Sequence, residues 1–187
     1  MEEREQTWIC RIRAGDEAAF KAVFDTYYAD LCRFATRFIR VPSHARDIVQ
    51  QVFLRIWECR SDWTVHTSLQ AYLYQAVRNR ALNTLRRDEA AAAMEDRLTE
   101  ASPSSQQRTA EDTYFAARLQ EQIDEAITRL PRRQRTAFLL KRRHGLSYQE
   151  IAAVMDIAPK TVENHIGRAL QSLREELASH FSQTLEA

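Results

Sequence analysis

Lys160, Thr161, Asn164, His165 and Arg168 fall within the stretch PKTVENHIGRAL, Pro159 to Leu170. Their spacings of one, three and four residues gather them on one side of a helix. The set is chemically coherent. Amide, imidazole and guanidinium groups can make hydrogen bonds to base edges, and the cations can hold phosphates. A second set lies upstream. Tyr72, Gln75, Asn79, Asn83 and Arg86 recur at spacings of three and four, with Arg78, Arg80 and Arg87 flanking them and no acid in the strip. One aromatic ring among amides and guanidiniums suits unstacked bases and a phosphate backbone. The chain offers no nucleophile beside a base, no phosphate-cradling glycine loop and no metal-ligand spacing, so no catalytic residue, metal or cofactor is expected.

The elements that must position the first set are legible nearby. Ser147 and Glu150 have capping-box spacing, which starts a helix at Tyr148. Ile151, Ala152, Val154 and Met155 give that short helix an apolar side. Asp156, Ile157 and Ala158 supply the turn, and Pro159 opens the second helix, where a missing N–H does no harm. Val162, Ile166, Ala169, Leu170 and Leu173 pin the second helix to a core. The pattern predicts a helix-turn-helix. Two positions break local rules. Ala158 stands where a Ser or Asp cap is expected, at a cost of about 1 kcal/mol. Gly167 weakens the helix interior by roughly 1 kcal/mol against alanine, with close packing as the ordinary explanation. Just upstream, Arg129 to Arg143 carries seven Lys/Arg and no acid. There Arg142 and Arg143 are candidates for phosphate contacts beside the reading helix.

The second set needs a scaffold of its own. Asp16 can cap a helix in which Phe20, Phe24, Tyr27, Leu31, Phe34 and Phe38 form an apolar stripe. After Ser43 a helix is predicted from about Ala45 to Cys59, with Ile48, Val49, Val52, Phe53, Ile56 and Trp57 inward. Asp47, Gln50, Gln51, Leu54, Arg55 and Glu58 lie opposite. RSDWTVHTS reads as a loop. A third helix runs from about Leu69 to Arg87, with Leu69, Leu73, Val77, Ala81 and Leu85 inward and Arg80 near that side, where it must snorkel or pair. From Asp88 to Asp112 the pattern dissolves into seven acids, two arginines, Pro103 and several serines. Helical pattern resumes near Tyr114 and continues to about Phe181. The fold class is therefore all-α: two small helical domains, 1–87 and 113–187, joined by an acidic linker at 88–112, the second domain with the helix-turn-helix.

Bulk properties fit this reading. The 187 residues carry a net charge of only +1, so any nucleic-acid surface must come from uneven distribution. Three glycines and four prolines suit a helical chain. The acidic start MEEREQTWIC has no secretory apolar core, and no run approaches a membrane span, so no membrane insertion is expected. Cys10, Cys32 and Cys59 are widely spaced and read as free thiols in a reducing cytosol.

Four segments follow one another in order: IRAGDEAAFKAVFDTYYADLCRFA, ARDIVQQVFLRIWE, LQAYLYQAVRNRALNTLRR, and AITRLPRRQRTAFLLKRRHGLSYQEIAAVMDIAPKTVENHIGRALQSLR. Together they resemble the small bacterial sigma factors of the extracytoplasmic-function group, over nearly the whole chain outside the linker and the two ends. The resemblance implies a cytoplasmic factor that binds core RNA polymerase, directs it to promoters and helps melt DNA. It implies docking of the first domain on the clamp helices of the largest subunit through Asp47, Gln50, Gln51, Leu54, Phe53 and Trp57. It implies capture of a flipped minus-ten base by the loop Arg60 to Ser68, which holds Trp63. Tyr72, Asn79, Asn83, Arg86 and Arg87 would hold the melted strand. The second domain would read the minus-thirty-five element through Lys160, Thr161, Asn164, His165 and Arg168, with Arg142 and Arg143, and would pack on the flap of the second large subunit. The linker would thread the polymerase near its active centre, and an anti-sigma factor is the expected inhibitor. Tyr72 stands where the family often has tryptophan.

The alternative is a two-domain helix-turn-helix regulator that does not bind core polymerase, since GLSYQEIAAVMDIAPKTVENHIGRAL also resembles output domains of quorum-sensing and response regulators. Those carry a ligand or phosphoacceptor domain in front. The front of this chain has neither the strand pattern nor the acidic pocket for one.

Overall fold

The computed structural model describes residues 2–39, 41–92 and 114–185. Among these residues all regular structure is helical. The chain divides into two compact units, Met1–Pro103 and Ser104–Ala187.

Unit 1 holds α1 (Glu2–Arg13), α2 (Glu17–Ala35), α3 (Pro42–Glu58) and α4 (Leu69–Ala92). The sequence pattern did not mark α1 as a helix, yet Glu5, Trp8, Ile9 and Ile12 are spaced to share a face, and all four are buried. Gly15 turns the chain into α2 with φ of 85°, a left-handed conformation that costs glycine nothing. Asp16 caps α2 as predicted: its carboxylate accepts from the Ala19 N–H at 3.0 Å and from Arg11 Nε at 2.8 Å. These bonds hold its carboxyl below the usual range.

α3 begins three residues earlier than the pattern predicts. Pro42 opens the helix after extended Val41, and no side chain caps it. Proline's fixed φ and absent N–H suit the first helical turn, so no Ser43 cap is needed. α4 starts with two oxygen partners. Ser68 Oγ accepts from the Ala71 N–H at 3.2 Å, and Glu5 Oε2 accepts from the Leu69 N–H at 3.0 Å. The other Glu5 oxygen accepts from the Tyr27 hydroxyl at 2.7 Å. One buried carboxylate thus ties α1, α2 and α4 together. Burial, followed by the hydrogen bond to Glu5, pushes the Tyr27 hydroxyl far above its ordinary pKa. α4 also runs past Arg87 into the segment read as linker, reaching Ala92 through an alanine run of high helix propensity. The remainder of that segment, 93–112, and the threading role read for it lie outside the described residues.

The core of unit 1 is aromatic. Phe34 packs edge-on against Phe38 and Tyr74, with centroids 5.2 and 5.0 Å away. Tyr74 is fully buried. Phe24 packs against Tyr28 and Phe53, and Phe20 against Phe53 and Trp57.

Unit 2 holds α5 (Tyr114–Arg129), α6 (Arg132–Arg142), α7 (Tyr148–Met155) and α8 (Pro159–Leu185). Ala126, Ile127, Leu130, Leu139, Ala169 and Leu173 form a core joined by Ile123 and Phe138. Leu170, expected inward, is half exposed instead, because the inward stripe of α8 is filled by Ile166, Ala169 and Leu173. Ion pairs of Arg129 with Glu176 and of Arg143 with Asp124 tie α5 to α8 and to α6.

Candidate nucleic-acid interfaces

In unit 2 the helix-turn-helix is built as the sequence dictates. Gly145 makes the turn after α6 with φ of 68°, and buried Leu146 follows it. The capping box closes in both directions: Glu150 N–H donates to Ser147 Oγ at 3.2 Å, and Ser147 N–H donates to Glu150 Oε2 at 2.7 Å. Asp156 ends α7 in the left-handed region with φ of 55°, a conformation aspartate tolerates better than most side chains. The Ile157 N–H then bonds back to the Ala152 carbonyl at 3.1 Å. Ala158 offers its carbonyl to the N–H groups of Thr161 and Val162 at 2.9 and 3.2 Å but has no side-chain oxygen to cap with.

Val162, Ile166, Ala169 and Leu173 are buried under α8. Lys160, Asn164 and Arg168 are exposed on the remaining face, and Thr161 and His165 are half-buried. Lys160 pairs with Glu163 at 2.8 Å within that face. The His165 ring is drawn inward, and its Nε2 is enclosed without a hydrogen-bond partner. Burial, then the nearby charges of Arg133 and Arg168, lower its pKa, so the ring is neutral near pH 7. Arg133 is a member of this basic cluster that the sequence reading left out, although it sits in the basic run. Arg142 is exposed, and Arg143 is exposed too but pairs one guanidinium nitrogen with Asp124 at 2.7 Å.

In unit 1 two faces adjoin. On α3, Asp47, Gln50, Gln51 and Leu54 are exposed, and Leu54 exposes 56% of its surface. Phe53, expected among the docking contacts, is only 2% exposed, and its ring is wedged against Phe20 and Phe24. It is a core residue. Trp57 is half-buried between Phe20, 5.0 Å away, and the Arg60 guanidinium, 4.5 Å above its ring. Its free surface is correspondingly small.

On α4, Asn79, Asn83, Arg86 and Arg87 are exposed, and Tyr72 and Gln75 are half-buried. Trp63, expected to present its ring to a base, is 5% exposed and packs edge-on against Tyr72 with centroids 5.7 Å apart. The apolar ring is turned into the unit, so Tyr72 is the ring of that pair with exposed surface. An open cavity of about 590 Å³ is lined by Gln51, Arg80, Asn83, Thr84, Arg86 and Arg87. It gathers three of the sequence-predicted strand-binding residues and adds Arg80 and Thr84. No acid lines it, which suits an anion. Arg80 is exposed, and its Nε donates to Gln51 Oε1 at 2.8 Å, bridging α4 to α3.

Among the described residues no three His, Cys, Asp or Glu side chains stand together as metal ligands, and no helix is long and apolar enough to cross a membrane. Cys10 is exposed, and Cys32 and Cys59 are half-buried free thiols.

Two helical units, one with an amide- and arginine-bearing face on a long helix and the other with a helix-turn-helix, define a DNA-addressing protein of the transcription machinery. Residues 23–91 match the family described as sigma-70 region 2, and residues 120–173 match that described as sigma-70, region 4. The chain is 30% identical over 181 residues to the ECF RNA polymerase sigma factor SigE of Mycolicibacterium smegmatis, covering 92% of this chain and 68% of that one. It is 27% identical over 194 residues to the RNA polymerase sigma-H factor of Pseudomonas aeruginosa, covering 94% and 95%. The fold is similar to that of the sigma factor RpoE from Bartonella quintana, with a TM-score of 0.65 at 22% identity over 85% of this chain and 96% of that one. This chain belongs to the extracytoplasmic-function RNA polymerase sigma factors of the sigma-70 family.

Proposed function

We propose that this chain is a sigma factor that binds core RNA polymerase, carries it to particular promoters and helps open the DNA there, with the work divided between its two units. Unit 1 docks on the clamp helices of the largest polymerase subunit through the exposed α3 face of Asp47, Gln50, Gln51 and Leu54. Its α4 face holds the displaced minus-ten strand. There Tyr72 offers a stacking surface, Asn79 and Asn83 offer amides to unstacked bases, and Arg86 and Arg87 neutralise the backbone. Extruding a base costs a few kcal/mol, which stacking and hydrogen bonds on this face offset.

Unit 2 lays α8 in the major groove of the minus-thirty-five element, with Lys160, Asn164 and Arg168 toward the DNA and Arg142 on the adjoining backbone. The same unit packs on the flap of the second large subunit. The chain makes no bond itself, and the polymerase performs the chemistry in the cytoplasm. The Bartonella quintana structure is a co-crystal with the anti-sigma factor NepR, and by that likeness an anti-sigma factor is the expected restraint on this chain.

The observation that carries this reading is the pairing of two exposed amide-and-guanidinium helix faces, Asn79–Asn83–Arg86 and Asn164–Arg168, within segments matching regions 2 and 4 in that order. The test is transcription with purified core polymerase on genomic DNA, mapping 5′ ends with and without the protein. Discrete new starts sharing two upstream motifs are expected. The double variant Asn79→Ala, Arg86→Ala is expected to retain core binding and lose at least about tenfold in open-complex formation, since two contacts at roughly 1 kcal/mol each are removed. Normal melting by that variant would remove the assignment of α4.

A further inference from the structure

The chain has three glycines, and the fold explains two of them. Gly15 and Gly145 occupy left-handed backbone, where a side chain is strained. Gly167 lies in the interior of α8 with helical backbone, where glycine is the least favourable residue short of proline. Close packing does not require it: Gly167 is exposed, and a Cβ placed there meets no atom within 4 Å. Neither backbone nor packing within the protein calls for its missing side chain.

Its position does. Gly167 stands beside Arg168, three residues after Asn164 and seven after Lys160, all exposed and opposite the buried Val162, Ile166, Ala169 and Leu173. The gap is therefore on the face turned toward DNA. Gln171, the next exposed position along that face, donates to Glu175 at 3.0 Å, so its amide is drawn toward the C-terminal turn and leaves the depression open. Gly167 lies eight positions after Pro159, about 12 Å along the axis and so about two turns behind the N-terminal residues that reach the base edges, where a helix leaving the groove passes its bordering strand.

We propose that Gly167 is a close-approach position, at which the backbone of α8 rests in van der Waals contact with a sugar–phosphate strand bordering the major groove. The inference rests on α8 being the duplex-reading helix of unit 2. A side chain at 167 holds the backbone of α8 off the wall, and that contact is lost whatever base sequence lies beneath it.

The experiment compares Gly167→Ala, Gly167→Leu and Arg168→Ala in the full chain. Thermal unfolding is measured on the free protein, and affinity is measured on polymerase holoenzyme with a promoter duplex found by start-site mapping and with a copy whose upstream element is scrambled. Both glycine variants are expected to melt at or above wild type, because each restores helix propensity. Their promoter affinity is expected to fall by about fivefold for alanine and at least about tenfold for leucine, with the same fold loss on the scrambled duplex, as a contact to the backbone requires. Wild-type affinity in both glycine variants while Arg168→Ala binds weakly would overturn the proposal. So would a lower melting temperature for Gly167→Ala, since the fold itself would then need the glycine. A loss confined to the native upstream element would overturn the assignment to the wall in favour of a base edge. Wild-type affinity in all three variants would instead remove α8 as the reading helix.

Discussion

Among the described residues the two units hold four helices each, yet they are specified at different ranges. In unit 2 the helix-turn-helix is fixed by short-range chemistry, although Arg129 ties α5 to Glu176 of α8 across 47 positions: the Ser147–Glu150 box spans three residues, and the left-handed Asp156 and the Gly145 turn flank the same short helix. Unit 1 is fixed by long-range chemistry. Glu5 reaches Tyr27 across 22 positions and Leu69 across 64, and Arg80 reaches Gln51 across 29. The lesson is that a reading head can be a nearly self-contained cassette, whereas a surface that must both dock on a large partner and hold a single strand is assembled from helices that depend on one another.

The largest effect that would break this comparison sits at Glu5. Glu5→Ala leaves the Tyr27 hydroxyl and the Leu69 N–H without their partner, and unit 1 is expected to lose about 3 kcal/mol. All three tryptophans, Trp8, Trp57 and Trp63, belong to unit 1, so tryptophan fluorescence during denaturation reports this unit. A shift of that transition with no change in a separate circular-dichroism step for unit 2 is the expected result. An unchanged fluorescence transition would mean that the carboxylate contributes nothing net.

A smaller effect separates surface from scaffold within unit 1. Leu54→Asp is expected to weaken core-polymerase binding by roughly 2 kcal/mol, about 30-fold, as for a central interface anchor. The fluorescence transition should stay where it was, because Leu54 is exposed. Full core binding by this variant would take Leu54 out of the docking face. The smallest effect belongs to unit 2. Ser147→Ala removes one half of the capping box and is expected to cost about 1 kcal/mol in the unit 2 transition alone. A matching shift in tryptophan fluorescence would show that the two units do not unfold independently.

The same contrast decides what the sequence could reveal. Ser147, Glu150, Asp156 and Pro159 carry their meaning in neighbouring residues, so the helix-turn-helix could be read with its boundaries. α1 escaped notice because its buried face contains a glutamate, and Glu5 is tolerable there only through Tyr27 and Leu69, which no local pattern displays. Phe53 and Leu54 are told apart by periodicity, which turns Phe53 inward and Leu54 outward as the structure has them; it is the family resemblance, which carries over a whole segment, that adds Phe53 to the docking face although its ring fills the space between Phe20 and Phe24. Trp63 lies in a loop, where no period tells inward from outward; only its packing on Tyr72 does. For Arg80 the sequence leaves snorkelling and pairing both open, and its bond to Gln51 follows from the packing of α3 on α4. Gly167 was visible as a broken rule, and the structure removed close packing within the protein as its explanation.

The Glu5 carboxylate also has a bearing on how the protein comes into being. Ribosomes deliver a chain from its N-terminal end at about 5–20 residues per second, so the 64 positions between Glu5 and Leu69 take roughly 3 to 13 s to appear. During that interval Glu5 can meet Tyr27, 22 positions on, but has no α4 terminus to cap. Unit 1 therefore cannot be completed one helix at a time as it emerges. Its closing step waits for the start of the strand-holding helix, so the part of the molecule that meets single-stranded DNA is also the part whose arrival locks the nascent fold.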